Sequence, residues 1–141
     1  MQMSDGAGVF RTETSPGFGL SVAFEDDARV AYAYLIDSSN QIIADVWLYN
    51  RAATPLAPEW HDQSAAPFLN PARYVRTQAH PIPARDPSDV SFQWRADSEH
   101  DVVVEIFLRG DLIGRIWPGA KPGWAASARS GPLASGPADE A

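Results

Sequence analysis

Apolar and polar side chains alternate along several short segments of the chain, and this period of two residues predicts β-strands. In the stretch GLSVAFED, residues 19–26, the large apolar residues all fall on one face. The segment RVAYAYLID, residues 29–37, is apolar on both faces, which predicts a strand inside the sheet. After a Ser-Ser-Asn turn the alternation resumes in QIIADVWLYN, residues 41–50. The three segments predict a β-meander.

The second half of the chain shows the same alternation of apolar and polar residues in a different sequence. DVSFQWRA, residues 89–96, predicts one strand, and residues 101–119 predict two strands around a Gly-Asp pair that suits a tight hairpin turn. A weaker strand is predicted at residues 72–78. About seven short strands without a long amphipathic helix predict an all-β fold, an antiparallel β-sandwich. A curled or barrel-like single sheet is the alternative.

Two proline-rich connections interrupt the strands, at residues 51–71 and 79–89. The first connection is longer than compact domains usually contain. It has room for one short helix, because Pro58 suits a first helical position and Pro67 would end the helix. We therefore expect the 51–71 connection to have a structural or functional role beyond joining two strands.

The length of 141 residues fits a single domain with one hydrophobic core. Apolar residues make up 45% of the chain and charged residues 21%, which is typical of globular proteins. The alternation places one β domain at residues 9–124, after a flexible N-terminus at residues 1–8. Residues 125–141 show no periodicity and include one large apolar residue, so we expect a disordered tail.

The charge balance argues against nucleic acid as a partner. The chain has a formal net charge of -7, from 18 acidic and 11 basic residues, and such a surface repels a phosphate backbone. No run approaches the ~18 apolar residues of a membrane span, and the N-terminus lacks the basic and apolar start of a signal peptide. We expect a cytoplasmic protein without membrane association. The abundance of Ala, Pro and Gly beside the single lysine, Lys121, suggests a GC-rich bacterial genome.

Motifs of catalysis are absent from the sequence. There is no cysteine, no glycine-rich phosphate loop, no nucleophile elbow and no His-Glu-x-x-His pair. The histidines His61, His80 and His100 lie in separate loops, which favours exposed or capping roles over a shared metal site. His61 and Asp62 are neighbours, but adjacent side chains usually point apart. We predict a binding protein rather than an enzyme, with no cofactor, metal or catalytic residue.

The proline-bracketed stretch PEWHDQSAAPFLNP, residues 58–71, is the first candidate binding segment. Its large apolar residues favour a plug over the open end or edge of a sheet, excluding water from the core. The functional alternative is a recognition patch. There Trp60 would be the aromatic anchor, with Glu59, His61 and Asp62 displayed at the rim.

A second candidate is the acidic stripe of the final hairpin. Alternation places Asp101 and Glu105 on one face with Val103, Phe107 and Arg109. A solvated sheet face is the usual role of such a stripe. A basic partner is the functional alternative, because complementary charge raises association rates.

These patterns predict a small acidic protein-binding module, in the manner of an immunity or inhibitor protein that faces a basic target. One alternative is a carbohydrate- or small-ligand-binding β-sandwich with Trp47, Tyr49 or Trp60 as a platform, although core packing is favoured for such aromatic stripes. The other is an enzyme centred on His61 and Asp62. The oligomeric state is not predicted. The candidate binding residues are Glu59, Trp60, His61, Asp62, Asp101 and Glu105.

Overall fold

The computed structural model describes residues 8–76 and 81–137, which form two antiparallel four-stranded sheets. The first sheet contains, in spatial order, β1 (Val9–Ser15), β2 (Leu20–Asp26), β3 (Val30–Ile36) and β4 (Ile42–Asn50). The second contains β5 (Val90–Asp97), β6 (Asp101–Leu108), β7 (Asp111–Ile116) and β8 (Trp124–Ala125). The predicted all-β, sandwich-like fold is confirmed, and the described strands do not close into a barrel.

Two of these strands were not predicted. In β1 only Val9 is buried, and the strand pairs with β2 alone at one edge of the sheet, from Val9 opposite Asp26 to Ser15 opposite Leu20. Its sequence VFRTETS is therefore mostly polar and gives a weak alternating signal. The two-residue β8 is too short for any periodicity.

The helical content of the described residues consists of three 3₁₀ helices, at Gln63–Ala65, Ala72–Tyr74 and Pro87–Asp89. The first lies in the 51–71 connection, where one short helix was predicted, but it begins at Gln63 and not at Pro58. The second replaces the strand predicted at residues 72–78, since after it only Val75 forms a bridge, to Ala128. Residues 77 and 78 lie outside the described ranges. No helix of the described chain is long and apolar enough to cross a membrane.

The turn at Ala72–Tyr74 has a local cause that alternation does not reveal. The backbone N–H of Tyr74 donates to the carbonyl of Pro71 over 2.9 Å. The side-chain amide of Asn70 donates to the carbonyl of Tyr74 over 3.3 Å. Side-chain bonds to nearby backbone favour turns over sheet pairing, so the segment curls before it reaches Val75.

Close approach of the two sheets is visible at two glycines. A Cβ added at Gly114 in β7 would lie 2.5 Å from Cδ2 of Leu48, and one at Gly123 would lie 3.2 Å from Cβ of Val46. Val46 and Leu48 in β4 therefore face the second sheet. By alternation Asp45 and Trp47 point to the opposite, outer face of the first sheet.

The outer face of the first sheet is also covered, which explains why β3 is apolar on both sides. The hydroxyl of Tyr32 donates to the carbonyl of Phe68 in the 51–71 connection over 2.8 Å. The backbone N–H of Trp47 donates to the carbonyl of Leu133 over 2.9 Å, so the segment after β8 lies along the free edge of β4 beside this face. The connection thus covers a face of the sheet, where the sequence predicted a plug at an end or edge.

The segment after β8 corrects the prediction of a disordered tail from residue 125. Ala125, Ala128 and Ala134 are fully buried, and the N–H of Ala125 donates to the carbonyl of Ser135 over 2.9 Å. Small residues without periodicity pack closely here because hydrogen bonds to the sheet, rather than large side chains, hold the segment. Residues 138–141, like residues 1–7, lie outside the described ranges.

Candidate functional site

Glu59 and Trp60 hold the 51–71 connection together rather than standing at its rim. The carboxylate of Glu59 accepts the N–H of Leu69 over 2.7 Å and forms an ion pair with Arg29. Trp60 is half-buried, with its ring centroid 6.3 Å from that of Tyr74. These contacts give both side chains a structural role in the folded connection.

Arg29 clamps the same connection against the β2–β3 turn. Its guanidinium donates to the carbonyls of Ala65 and Pro67 over 2.9 and 2.8 Å, in addition to pairing with Glu59. Three contacts from one rigid guanidinium hold the connection beside this turn.

His61 and Asp62 are both exposed. The Asp62 carboxylate caps the 3₁₀ helix Gln63–Ala65, accepting the backbone N–H and the hydroxyl of Ser64 over 3.0 and 2.6 Å. These hydrogen bonds lower the pKa of Asp62. The carboxylate is committed to the turn, which weakens the hypothesis that it orients His61 as a base.

The two acids of the predicted stripe lie on the second sheet, away from the connection. The Glu105 side chain is 12% exposed and lies between Arg95, at 3.1 Å, and Arg115, at 3.3 Å. Hydrogen bonds and charge attraction from these arginines lower the pKa of Glu105. Asp101 is exposed at the β5–β6 turn. The structure therefore places the six predicted residues in two separate regions.

The aromatic platform predicted at Trp47 or Tyr49 is wrong, because both side chains are fully buried. The indole N–H of Trp47 donates to Oδ1 of Asn50 over 2.9 Å, and the Tyr49 hydroxyl donates to Asp26 over 2.7 Å. Both rings belong to the core, which was the favoured interpretation of this aromatic stripe.

Potential metal ligands converge at one place in the described chain. Ligand atoms of Asp97, Glu99 and His100 all lie within 4.8 Å of one another at the β5–β6 turn. The Asp97 carboxylate accepts the backbone N–H groups of Glu99 and His100, and the His100 ring stacks on Trp117 at 4.8 Å. Turn formation accounts for this grouping. His80 lies outside the described residues, so the predicted set of three histidines is not tested.

A pocket of about 550 Å³ opens on the outer face of the first sheet, and we call it the tyrosine pocket. Three parts of the chain build it: strands β3 and β4, the 51–71 connection, and the segments on either side of β8. Its lining residues are Tyr32, Tyr34, Asp45, Ala66, Pro67, Phe68, Lys121, Pro132 and Leu133.

Strand register brings the polar wall of the tyrosine pocket together. Tyr32 and Tyr34 are two residues apart on β3, so they share a face, and Asp45 in β4 pairs directly with Tyr34. The two tyrosine rings are stacked, with centroids 6.0 Å apart and planes at 8°. Burial raises the pKa of Tyr34 to about 12 and also raises that of Tyr32, so both hydroxyls stay neutral at neutral pH.

Asp45 and Lys121 bring opposite charges to the tyrosine pocket. Within the described ranges, neither side chain forms a hydrogen bond or an ion pair with another residue. Burial raises the pKa of Asp45, and the positive charge of Lys121 acts in the other direction without cancelling this effect. The Asp45 backbone accepts the N–H of Gly123 and donates to Ala120, over 2.8 and 3.0 Å. This pins the loop that carries Lys121 beside β4.

Sequence reasoning missed Tyr34, Asp45 and Lys121 as site residues. The apolar character of β3 on both faces indicated a strand covered on both sides, and this hid the partial exposure of Tyr34. One signal was available: Asp45 interrupts the otherwise apolar segment from Ile42 to Leu48. An acidic residue inside an apolar strand is costly unless it has a partner or a function.

Comparison with protein-family models, with curated proteins and with solved structures finds no match to this chain. The geometry of the tyrosine pocket therefore carries the functional interpretation.

Proposed function

We propose that this protein is a small-ligand-binding β-sandwich whose binding site is the tyrosine pocket. The observation that carries the proposal is the unpartnered carboxylate of Asp45 on the wall of a pocket with stacked tyrosines. Ligand pockets typically measure 300–1,000 Å³ and combine apolar walls with a few polar groups that orient the ligand. The tyrosine pocket, at about 550 Å³, fits this description.

The Asp45 carboxylate lowers the stability of the unliganded fold. Partial burial disfavours its charged form, and no described side chain compensates for this with a hydrogen bond or an ion pair. A ligand donor would supply the compensation. Binding sites typically contain polar groups that lower the stability of the unliganded protein.

The walls of the tyrosine pocket are held in place before any ligand arrives. Tyr32 bonds to Phe68, Arg29 clamps Pro67, and Trp47 bonds to Leu133 through its backbone. Such fixed walls reduce the entropy lost on binding, so even a small ligand gains useful affinity.

Saturation-transfer NMR with benzylamine, benzoate, p-nitrophenyl β-glucoside and L-phenylalanine tests the proposal. At least one probe should receive saturation from the wild-type protein and lose it with Tyr34→Ala. Phe10→Ala is the matched control, because Phe10 is exposed on β1 and does not line the pocket. Circular dichroism should first show that both variants are folded. The proposal fails if no probe binds, or if Phe10→Ala abolishes binding and Tyr34→Ala does not.

A protein partner with a basic surface is the second candidate function, and the net charge of -7 favours it. Glu25, Asp101 and Asp111 are exposed and would contribute to such an interface. A cytoplasmic location and a role of the immunity or inhibitor type belong to this same proposal. Titration with a peptide of alternating arginine and serine tests it. Binding that weakens steeply with salt supports a charge-driven interface, and absence of binding at low salt refutes it.

A further inference from the structure

We propose that the ligand of the tyrosine pocket is a zwitterion: a small molecule with an ammonium group, a carboxylate and an aromatic side group. An α-amino acid with an aromatic side chain has this chemistry. The inference rests on the proposed function of the tyrosine pocket and deepens it by naming the class of ligand.

The two charges of the pocket point to a ligand with two charges. Asp45 and the exposed Lys121 line the same pocket, and no ion pair joins their side chains within the described residues. A ligand ammonium beside Asp45 and a ligand carboxylate beside Lys121 would provide each with an opposite charge. Charge-assisted hydrogen bonds of this kind are about twice as strong as neutral ones.

Ligands with one charge fit the pocket less well. A simple amine would gain the attraction of Asp45 but meet the repulsion of Lys121, and a simple carboxylate would meet the reverse. A neutral sugar would hydrogen-bond to both groups but compensate the charge of neither. Of these ligands, only the zwitterion offers an opposite charge to both Asp45 and Lys121.

The remaining walls suit an aromatic side group. Phe68, Pro67 and Leu133 supply apolar surface in the same pocket as the stacked rings of Tyr32 and Tyr34. An aromatic ring of the ligand can pack on the tyrosine rings with offset or edge-on geometry and bury its surface against the apolar residues.

A set of matched probes tests the inference by calorimetric titration of the wild-type protein. L-phenylalanine carries both charges, phenethylamine carries only the ammonium, 3-phenylpropionate carries only the carboxylate, and N-acetyl-phenylalanine amide carries neither. L-phenylalanine should bind most tightly. Loss of either charge should weaken binding at least tenfold, and loss of both should weaken it further.

Charge-specific variants assign each contact. Asp45→Asn should weaken the binding of L-phenylalanine and phenethylamine about tenfold and leave 3-phenylpropionate unaffected or tighter. Lys121→Gln should weaken L-phenylalanine and 3-phenylpropionate and spare phenethylamine. Asp111→Asn, an exposed acid outside the tyrosine pocket, is the control and should change none of them.

The failures of the two proposals are distinguishable. If the neutral amide or p-nitrophenyl β-glucoside binds as tightly as L-phenylalanine, and Tyr34→Ala abolishes that binding, the zwitterion inference is overturned and the small-ligand function stands. If the charge variants give the same losses for every probe, the inference is again overturned. If no probe of either set binds, both proposals fail.

Discussion

The hydroxyl of Tyr49 donates a hydrogen bond to the carboxylate of Asp26 over 2.7 Å, and both side chains are buried. The same hydroxyl accepts the N–H of Ala84 over 2.9 Å. Arg51 completes the network, pairing with Asp26 at 2.8 Å and donating to the carbonyl of Ala84. The network joins β2, β4 and the connection that precedes β5. A buried network whose members have partners favours one arrangement of these elements.

Tyr49→Phe should lower the free energy of unfolding by about 1–3 kcal/mol, because it removes a donor from Asp26 and leaves the N–H of Ala84 without its acceptor. Urea unfolding followed by tryptophan fluorescence measures the change. Tyr74→Phe is the control, since the Tyr74 ring packs on Trp60 outside this network. Its expected loss is below about 0.5 kcal/mol. Equal losses in the two variants would show that the network contributes nothing specific.

Gly114→Ala should destabilise the sandwich by about 1–3 kcal/mol, because its Cβ would lie 2.5 Å from Cδ2 of Leu48, a fully buried side chain that would have to shift. Gly17→Ala is the matched control, since a Cβ there meets nothing within 4 Å. Thermal unfolding of both variants makes the comparison. A melting temperature of Gly114→Ala no lower than that of Gly17→Ala would contradict this packing of the sheets.

Glu105→Gln should lower stability at about pH 7 by roughly 0.5–1 kcal/mol, the range of partly exposed ion pairs. The pKa of Glu105 is lower in the folded protein than its ordinary value of 4.5. Its stabilising contribution is therefore complete above that value and is lost as the pH falls through the lowered pKa. Urea unfolding should show a deficit at about pH 7 that disappears at about pH 2. If Glu105→Gln were still less stable than the wild type at about pH 2, the loss would be due to packing and not to charge.

Asp45→Asn should raise stability at about pH 7 by roughly 0.5 kcal/mol, the scale of effects for partly exposed charges. The pKa of Asp45 is raised above its ordinary value of 3.8, so the folded protein holds this proton more tightly than the unfolded chain does. The contribution of Asp45 to the stability of the wild type therefore falls as the pH rises from its pKa in the unfolded chain through its pKa in the folded protein.

Differential scanning calorimetry checks the Asp45 prediction. The melting temperature of Asp45→Asn should exceed that of the wild type at about pH 7, and the two should converge at about pH 3. Glu25→Gln, at an exposed position of β2, is the control. A lower melting temperature of Asp45→Asn at neutral pH would mean that the carboxylate stabilises the fold, which would remove the main support for the proposed function.

Strands with one buried face were predictable because alternation is a local signal. The segments of β2 to β4 and β5 to β7 each carry large apolar residues at every second position, and each forms a strand. Segments held by backbone hydrogen bonds gave no such signal. Ala128 and Ala134 are fully buried and the N–H of Ala125 bonds to the carbonyl of Ser135, although the sequence there indicated disorder.

By itself the sequence determined the class of fold and the core, because side-chain spacing along a strand depends only on the chain's local geometry. It also predicted that the 51–71 connection packs on a sheet, but at an end or edge and not over a face. Only the tertiary structure decided which charges form ion pairs: Glu59 pairs with Arg29 and Glu105 with Arg95, whereas the side chains of Asp45 and Lys121 form no ion pair or hydrogen bond within the described residues. Ion pairs between residues far apart in sequence depend on how distant segments pack, and the alternation of apolar and polar residues does not predict them.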